Sequence, residues 1–140
     1  MNHTNKIIAF SKELTWDDLP IKVRDYTKLC LLDLLGVAAS GAGTKLSNIA
    51  CGYAALDMSG TIPMIFDGRK ASVAGVAMAG GMTIDSLDGH DGFNPAKGHA
   101  GCGLLPALYA VAQDNKSSSG QQFLLTLAIG YEFACRAALA

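Results

Sequence analysis

Residues 71–84, ASVAGVAMAGGMTI, carry no ionisable side chain and consist mostly of Ala, Gly, Val and Met. This stretch constrains the fold more than any other. Alanine favours helix, and small side chains let neighbouring helices come close enough to pack at interior density. The segment is too short for a membrane helix, which needs roughly 18 apolar residues or more. It therefore predicts a central, tightly packed helix, and that helix runs straight into Asp85.

The flanking sequence predicts further helices. A short one is expected over about 4–14. A second starts with Pro20 in its first turn and ends at the Gly41-Ala42-Gly43 run. It is charged early (Lys22, Arg24, Asp25, Lys28) and apolar late, with Asp33 alone in the apolar part. A buried carboxylate needs a partner, so Asp33 is expected to bond to a neighbouring helix end. A third helix fits about 45–58. Asp67-Gly68 is a turn signal, giving a short strand or hairpin near 61–66. After residue 101 a helix is expected with Pro106 in its first turn. Asn115–Ser119 form a polar break, and Ser119 with Gln122 has capping-box spacing before the last helix. Segments 71–84 and 121–139 are expected to be largely buried. The class is mainly α.

Composition narrows the function. Half of the 140 residues are hydrophobic and 16% are charged, against a typical share of about 25%, so disorder is excluded. A net charge of −1 gives no electrostatic footprint for nucleic acid or anionic membrane. The N-terminus lacks the long apolar stretch of a secretory signal. The four cysteines stand far apart without a C-x-x-C pair. They read as reduced core thiols, which suits a cytoplasmic protein.

Against this background, DSLDGHDGFNPAKGHAG (85–101) stands out. It holds two of the three histidines, His90 and His99, and the acids Asp85, Asp88 and Asp91. Three kinds of chemistry compete. A metal site is possible in principle, since carboxylate and imidazole are ligands. However, Leu87 breaks a calcium-loop pattern and no H-x-x-x-H occurs, so no metal is assigned. A solvated loop would use Asp and Gly for turns. An acid–base site would use His99 near neutral pH, with Asp85 as base or orienting group. Lys97 and His90 would then attract carboxylates, and glycines would let the backbone approach a ligand.

Four segments in order carry a resemblance: YTKLCLLDLLGVAASGAG, ASVAGVAMAGGMTIDSLD, GHAGCGLLPALYAVA and FLLTLAIGYEFACR. Together they are similar to the N-terminal part of the MmgE/PrpD family. That family includes 2-methylcitrate dehydratase, cis-aconitate decarboxylase and iminodisuccinate epimerase. Asp85 and Asp88 match the first and last aspartates of the family's D-x-D-D motif, and His99 matches its His-Pro histidine. The sequence departs at Leu87, the middle aspartate; at Gly89, where many members have Thr; and at Ala100, where Pro is usual. A Gly-His variant would put His90 in the pocket.

The resemblance implies a cofactor-independent lyase or isomerase acting by proton transfer on a small di- or tricarboxylate. Asp85 and His99 would be catalytic, and Asp88, His90 and Lys97 would bind substrate. It implies homodimers. It also makes residues 1–140 the front portion of a helical domain whose remainder, with a second α+β domain and further catalytic groups, lies elsewhere. YEFACRAALA is still helical in character at Ala140, which carries the same expectation. On that basis the chain alone would be inactive and would self-associate through exposed apolar faces. The alternative is a non-catalytic helical module that needs a second chain to complete a site.

Overall fold

The computed structural model describes residues 3–116 and 118–140. Ser117, inside the expected polar break, and the first two residues lie outside them. The chain runs α1 (His3–Glu13), a 3-10 turn (Trp16–Asp18), α2 (Ile21–Gly41), α3 (Lys45–Asp57), β1 (Ile62–Pro63), β2 (Lys70–Ala71) and α4 (Val73–Asp85). A second 3-10 turn (Asn94–Ala96), α5 (Gly101–Asp114) and α6 (Gly120–Ala137) follow. The protein is mainly α. No single described helix is long and apolar enough to cross a membrane.

The uncharged segment is the central helix that its composition requires. α4 packs against α5, α3, α2 and both short strands. Its buried residues fall in pairs one turn apart: Gly75 and Val76, Ala79 and Gly80, Thr83 and Ile84. That spacing makes one continuous stripe. At the N-terminus, Ser72 accepts a hydrogen bond from the Gly75 amide at 3.2 Å. Farther along, Ser47 of α3 and Thr83 of α4 share a buried hydroxyl–hydroxyl hydrogen bond of 2.7 Å. The stripe joins two core clusters. One gathers Cys51, Ala54, Val76 and Ala79, and the other Leu34, Ala38, Ile84 and Leu105.

Pro106 sits in the second turn of α5, inside the helix, rather than in its first turn. Proline has no N–H, so it leaves the Cys102 carbonyl without its usual intrahelical donor. The diglycine of α4 accommodates both irregularities. A Cβ at Gly80 would come 2.5 Å from Pro106 Cβ, and one at Gly81 would come 3.2 Å from the Cys102 carbonyl oxygen.

Two other expectations are corrected. Pro20 caps α2 instead of occupying its first turn. The short strand expected near 61–66 is present as β1, where Ile62 pairs with Ala71 and Pro63 with Lys70. Beyond Pro63 the chain turns, with Phe66 in the left-handed region at φ 56. Arg69 clamps this turn through a two-pronged bond to Asp67, at 2.6 Å from Nε and from Nη2, which holds the Asp67 carboxyl below its ordinary range. Finally, α6 is not largely buried. Only Leu125 and Leu127 are buried, because α6 packs mainly on α2 and α5 and leaves Phe133 and the last turns exposed.

The junction of α2 with α4 gives a test. A Cβ on Gly41 would overlap the Thr83 carbonyl oxygen and come 3.0 Å from Ser86 Oγ. Overpacking costs about 1–3 kcal/mol, against less than about 1 kcal/mol gained in helix propensity. Gly41→Ala is expected to lower the melting temperature, followed by circular dichroism. A variant as stable as the parent would show that α2 and α4 do not meet this closely.

Candidate functional site

The site lies where α4 ends and α5 begins. Asp85 is the last residue of α4, and its carbonyl accepts the Asp88 amide at 3.0 Å. This turn puts Asp88 in the left-handed region at φ 47, which Asp tolerates better than most residues. The loop then folds on itself. The Phe93 amide donates to the Gly98 carbonyl at 2.9 Å, and the Lys97 amide to Asn94 at 3.1 Å. Lys97 also takes a left-handed conformation, at φ 49. These closures bring the chain back so that His90 and His99 meet, with ring centroids 4.3 Å apart.

The two histidines differ in setting. The His90 side chain is fully buried, with Nε2 3.7 Å from Asp85 Oδ1, and neither ring nitrogen has a hydrogen-bond partner. The His99 side chain is one-third exposed, with Nε2 3.5 Å from Asp88 Oδ1. Its Nδ1 lies 2.7 Å from the Asp91 carbonyl oxygen. A carbonyl only accepts, so Nδ1 carries the proton. In the neutral ring Nε2 is then the free base, and the Asp88 carboxylate stands ready to stabilise the imidazolium formed when it takes a proton.

Asp91 is itself held. Its amide donates to Asp33 Oδ2 at 3.1 Å, across 58 residues of sequence. Asp33 thus has a partner, but it is a loop amide and not a helix end, and Asp33 is exposed rather than buried. The other end of Asp91 is enclosed. Its Oδ1 and Tyr131 Oη are buried without a well-formed hydrogen bond, and a Cβ at Gly101 would overlap both. Burial first, then the Asp91 charge, push the Tyr131 hydroxyl far up, so it stays protonated.

The structure therefore brings Asp85, Asp88, His90 and His99 together. Lys97 is exposed and makes no ion pair among the described residues. Residues passed over in the sequence are Asp91, which acts through its backbone, and Cys102. The Cys102 thiol donates to the His99 carbonyl at 3.2 Å. Burial, then the Asp85 and Asp91 carboxylates, push that thiol up, which keeps it protonated. All four cysteines are free. A cavity of about 970 Å³ meets the loop at Asp91, Gly92 and Phe93, but its other walls are mainly apolar side chains of α1, α2 and α6, including Phe10, Val23 and Ile129. Neither Asp85, His90 nor His99 lines it, so it is not where the ionisable groups converge.

Compared with known proteins, residues 5–140 match the family model described as the MmgE/PrpD N-terminal domain. No curated protein and no solved structure matches the chain significantly.

The hold of Asp33 on the loop is open to measurement. Asp33→Ala removes one exposed hydrogen bond, worth roughly 1 kcal/mol. Hydrogen exchange at the Asp91 amide should then speed up about fivefold, with the α4 amides unchanged. Unaltered exchange at Asp91 would show that Asp33 does not anchor the loop.

Proposed function

The chain belongs to the MmgE/PrpD family through its N-terminal domain, and from that premise we propose that Asp85 and His99 exchange protons with a small di- or tricarboxylate. The reaction is a cofactor-independent lyase or isomerase step of the 2-methylcitrate dehydratase kind. The observation that carries this reading is the state of His99. Its Nδ1 is tied to the Asp91 carbonyl at 2.7 Å, while Nε2, on a ring one-third exposed, faces Asp88. An imidazole with a fixed tautomer and a reachable basic nitrogen suits abstraction of a proton alpha to a carboxylate. Asp85, half-exposed at the end of a rigid helix, supplies the second proton-transfer group.

Electrostatics define what this wall lacks. Asp85, Asp88 and Asp91 outnumber the one cation of the loop, Lys97. A polycarboxylate held here needs positive charge from an opposing surface. Exposed apolar side chains supply an observation in favour of such a surface: Ile21, Tyr26, Leu29 and Leu32 lie on one arc of α2, each 60% exposed or more. Patches of this kind mark contact sites. Homodimerisation, or docking of a further helical segment, is the role proposed for them. The same patch is what a non-catalytic helical module would use.

The test is turnover with 2-methylcitrate, citrate, cis-aconitate and iminodisuccinate, measured on the chain together with the polypeptide that completes its pocket. Positioned acid–base groups contribute about 10²–10⁴-fold. His99→Ala and Asp85→Asn are expected to lower kcat by that order with the helical circular dichroism intact, and Lys97→Ala to act mainly on KM. Full activity in His99→Ala on the substrate turned over would refute the assignment.

A further inference from the structure

Cys102 and His90 are not explained by acid–base chemistry alone. His90 is a fully buried imidazole with no hydrogen bond at either nitrogen. Buried polar groups are almost always satisfied, so an unsatisfied one points to a partner of another kind. One ligand atom each from Asp85, His90 and Cys102 lie within 4.8 Å of one another. Around a tetrahedral zinc ion, ligand atoms stand about 3.3–3.8 Å apart, given bond lengths of about 2.0–2.3 Å. The His90–Asp85 separation, 3.7 Å from Nε2 to Oδ1, already matches. Closing the remainder takes about an ångström of side-chain movement, which the half-exposed Asp85 carboxylate and a rotatable thiol permit.

We propose that Asp85, His90 and Cys102 form a three-ligand site for a borderline-soft divalent cation of the zinc type, which displaces the Cys102 thiol proton to solvent as it binds and leaves its fourth position open. Mixed oxygen, nitrogen and sulfur donors select such ions over magnesium or calcium. The elements that carry the ligands are well placed: Asp85 ends α4, Cys102 lies in the first turn of α5, and His90 is buried in the loop between them. The sequence pattern concealed the set, because Cys102 follows His90 by twelve residues and reads as a core thiol. Binding does not depend on the acid–base assignment. Only its consequence rests on that reading: a cation on Asp85 withdraws this carboxylate from proton transfer, so the metal acts as an inhibitor.

Cobalt(II) is the probe, titrated into the reduced 140-residue chain. One equivalent should bind with a thiolate-to-cobalt charge-transfer band and the intense visible bands of a four-coordinate ion, and zinc should displace it. Cys102→Ser should abolish the charge-transfer band, and His90→Gln should weaken binding by at least about tenfold, while Cys30→Ser leaves both unchanged. Cys102 is part-exposed, so the serine variant, checked by circular dichroism, carries the test even if the His90 variant fails to fold. A charge-transfer band that survives in Cys102→Ser, or binding without any thiolate band, would overturn the site.

Discussion

The close approach of α4 to α5 is the contact from which the rest of the structure follows. It requires glycine at position 80, where a Cβ would meet Pro106 at 2.5 Å, and it leaves room at Gly81 for the Cys102 carbonyl that Pro106 leaves without its usual donor. The same contact sets the end of α4 beside the start of α5. Asp85 and Cys102 are thereby brought within 4.8 Å of a common neighbour, His90, by two rigid elements. A site built on helix ends inherits their precision, and here the loop between those ends has only to fold back across a short gap.

How the loop folds back depends on backbone hydrogen bonds. Asp33 on α2 receives the Asp91 amide, and the Asp91 carbonyl receives His99 Nδ1. One residue thus transmits the position of α2 to the orientation of an imidazole. Gly101 allows this, because its missing side chain is the space that Asp91 Oδ1 and Tyr131 Oη occupy. The proposed proton transfer rests on the imidazole so fixed, with an acceptor nitrogen toward Asp88 and a donor nitrogen bound to the protein.

Much of this was legible in the sequence. The uncharged segment announces a buried central helix, and helix order, the hairpin region and the gathering of Asp85, Asp88, His90 and His99 in one loop are read from composition and spacing. What was hidden has physical reasons. Hydrogen bonds made by a backbone carbonyl leave no mark on residue type, so Asp91 gave no signal of its role. The Asp33 partner lies 58 residues away in a loop whose path is set by tertiary contacts. Pro106 resembles a helix start, but the diglycine opposite lets it sit deeper. α6 is apolar enough for burial, yet only one of its faces meets α2 and α5.

The hold of the Asp91 carbonyl on the His99 tautomer is read directly from the nitrogen chemical shifts of the histidine rings, by long-range proton–nitrogen correlation NMR above the imidazole titration range. The neutral His99 ring is expected to carry its proton on Nδ1, with Nε2 showing the shift of an unprotonated nitrogen. A proton on Nε2, or rapid averaging between the two tautomers, would contradict it, since the ring would then lack both the hold of Asp91 and the basic nitrogen toward Asp88.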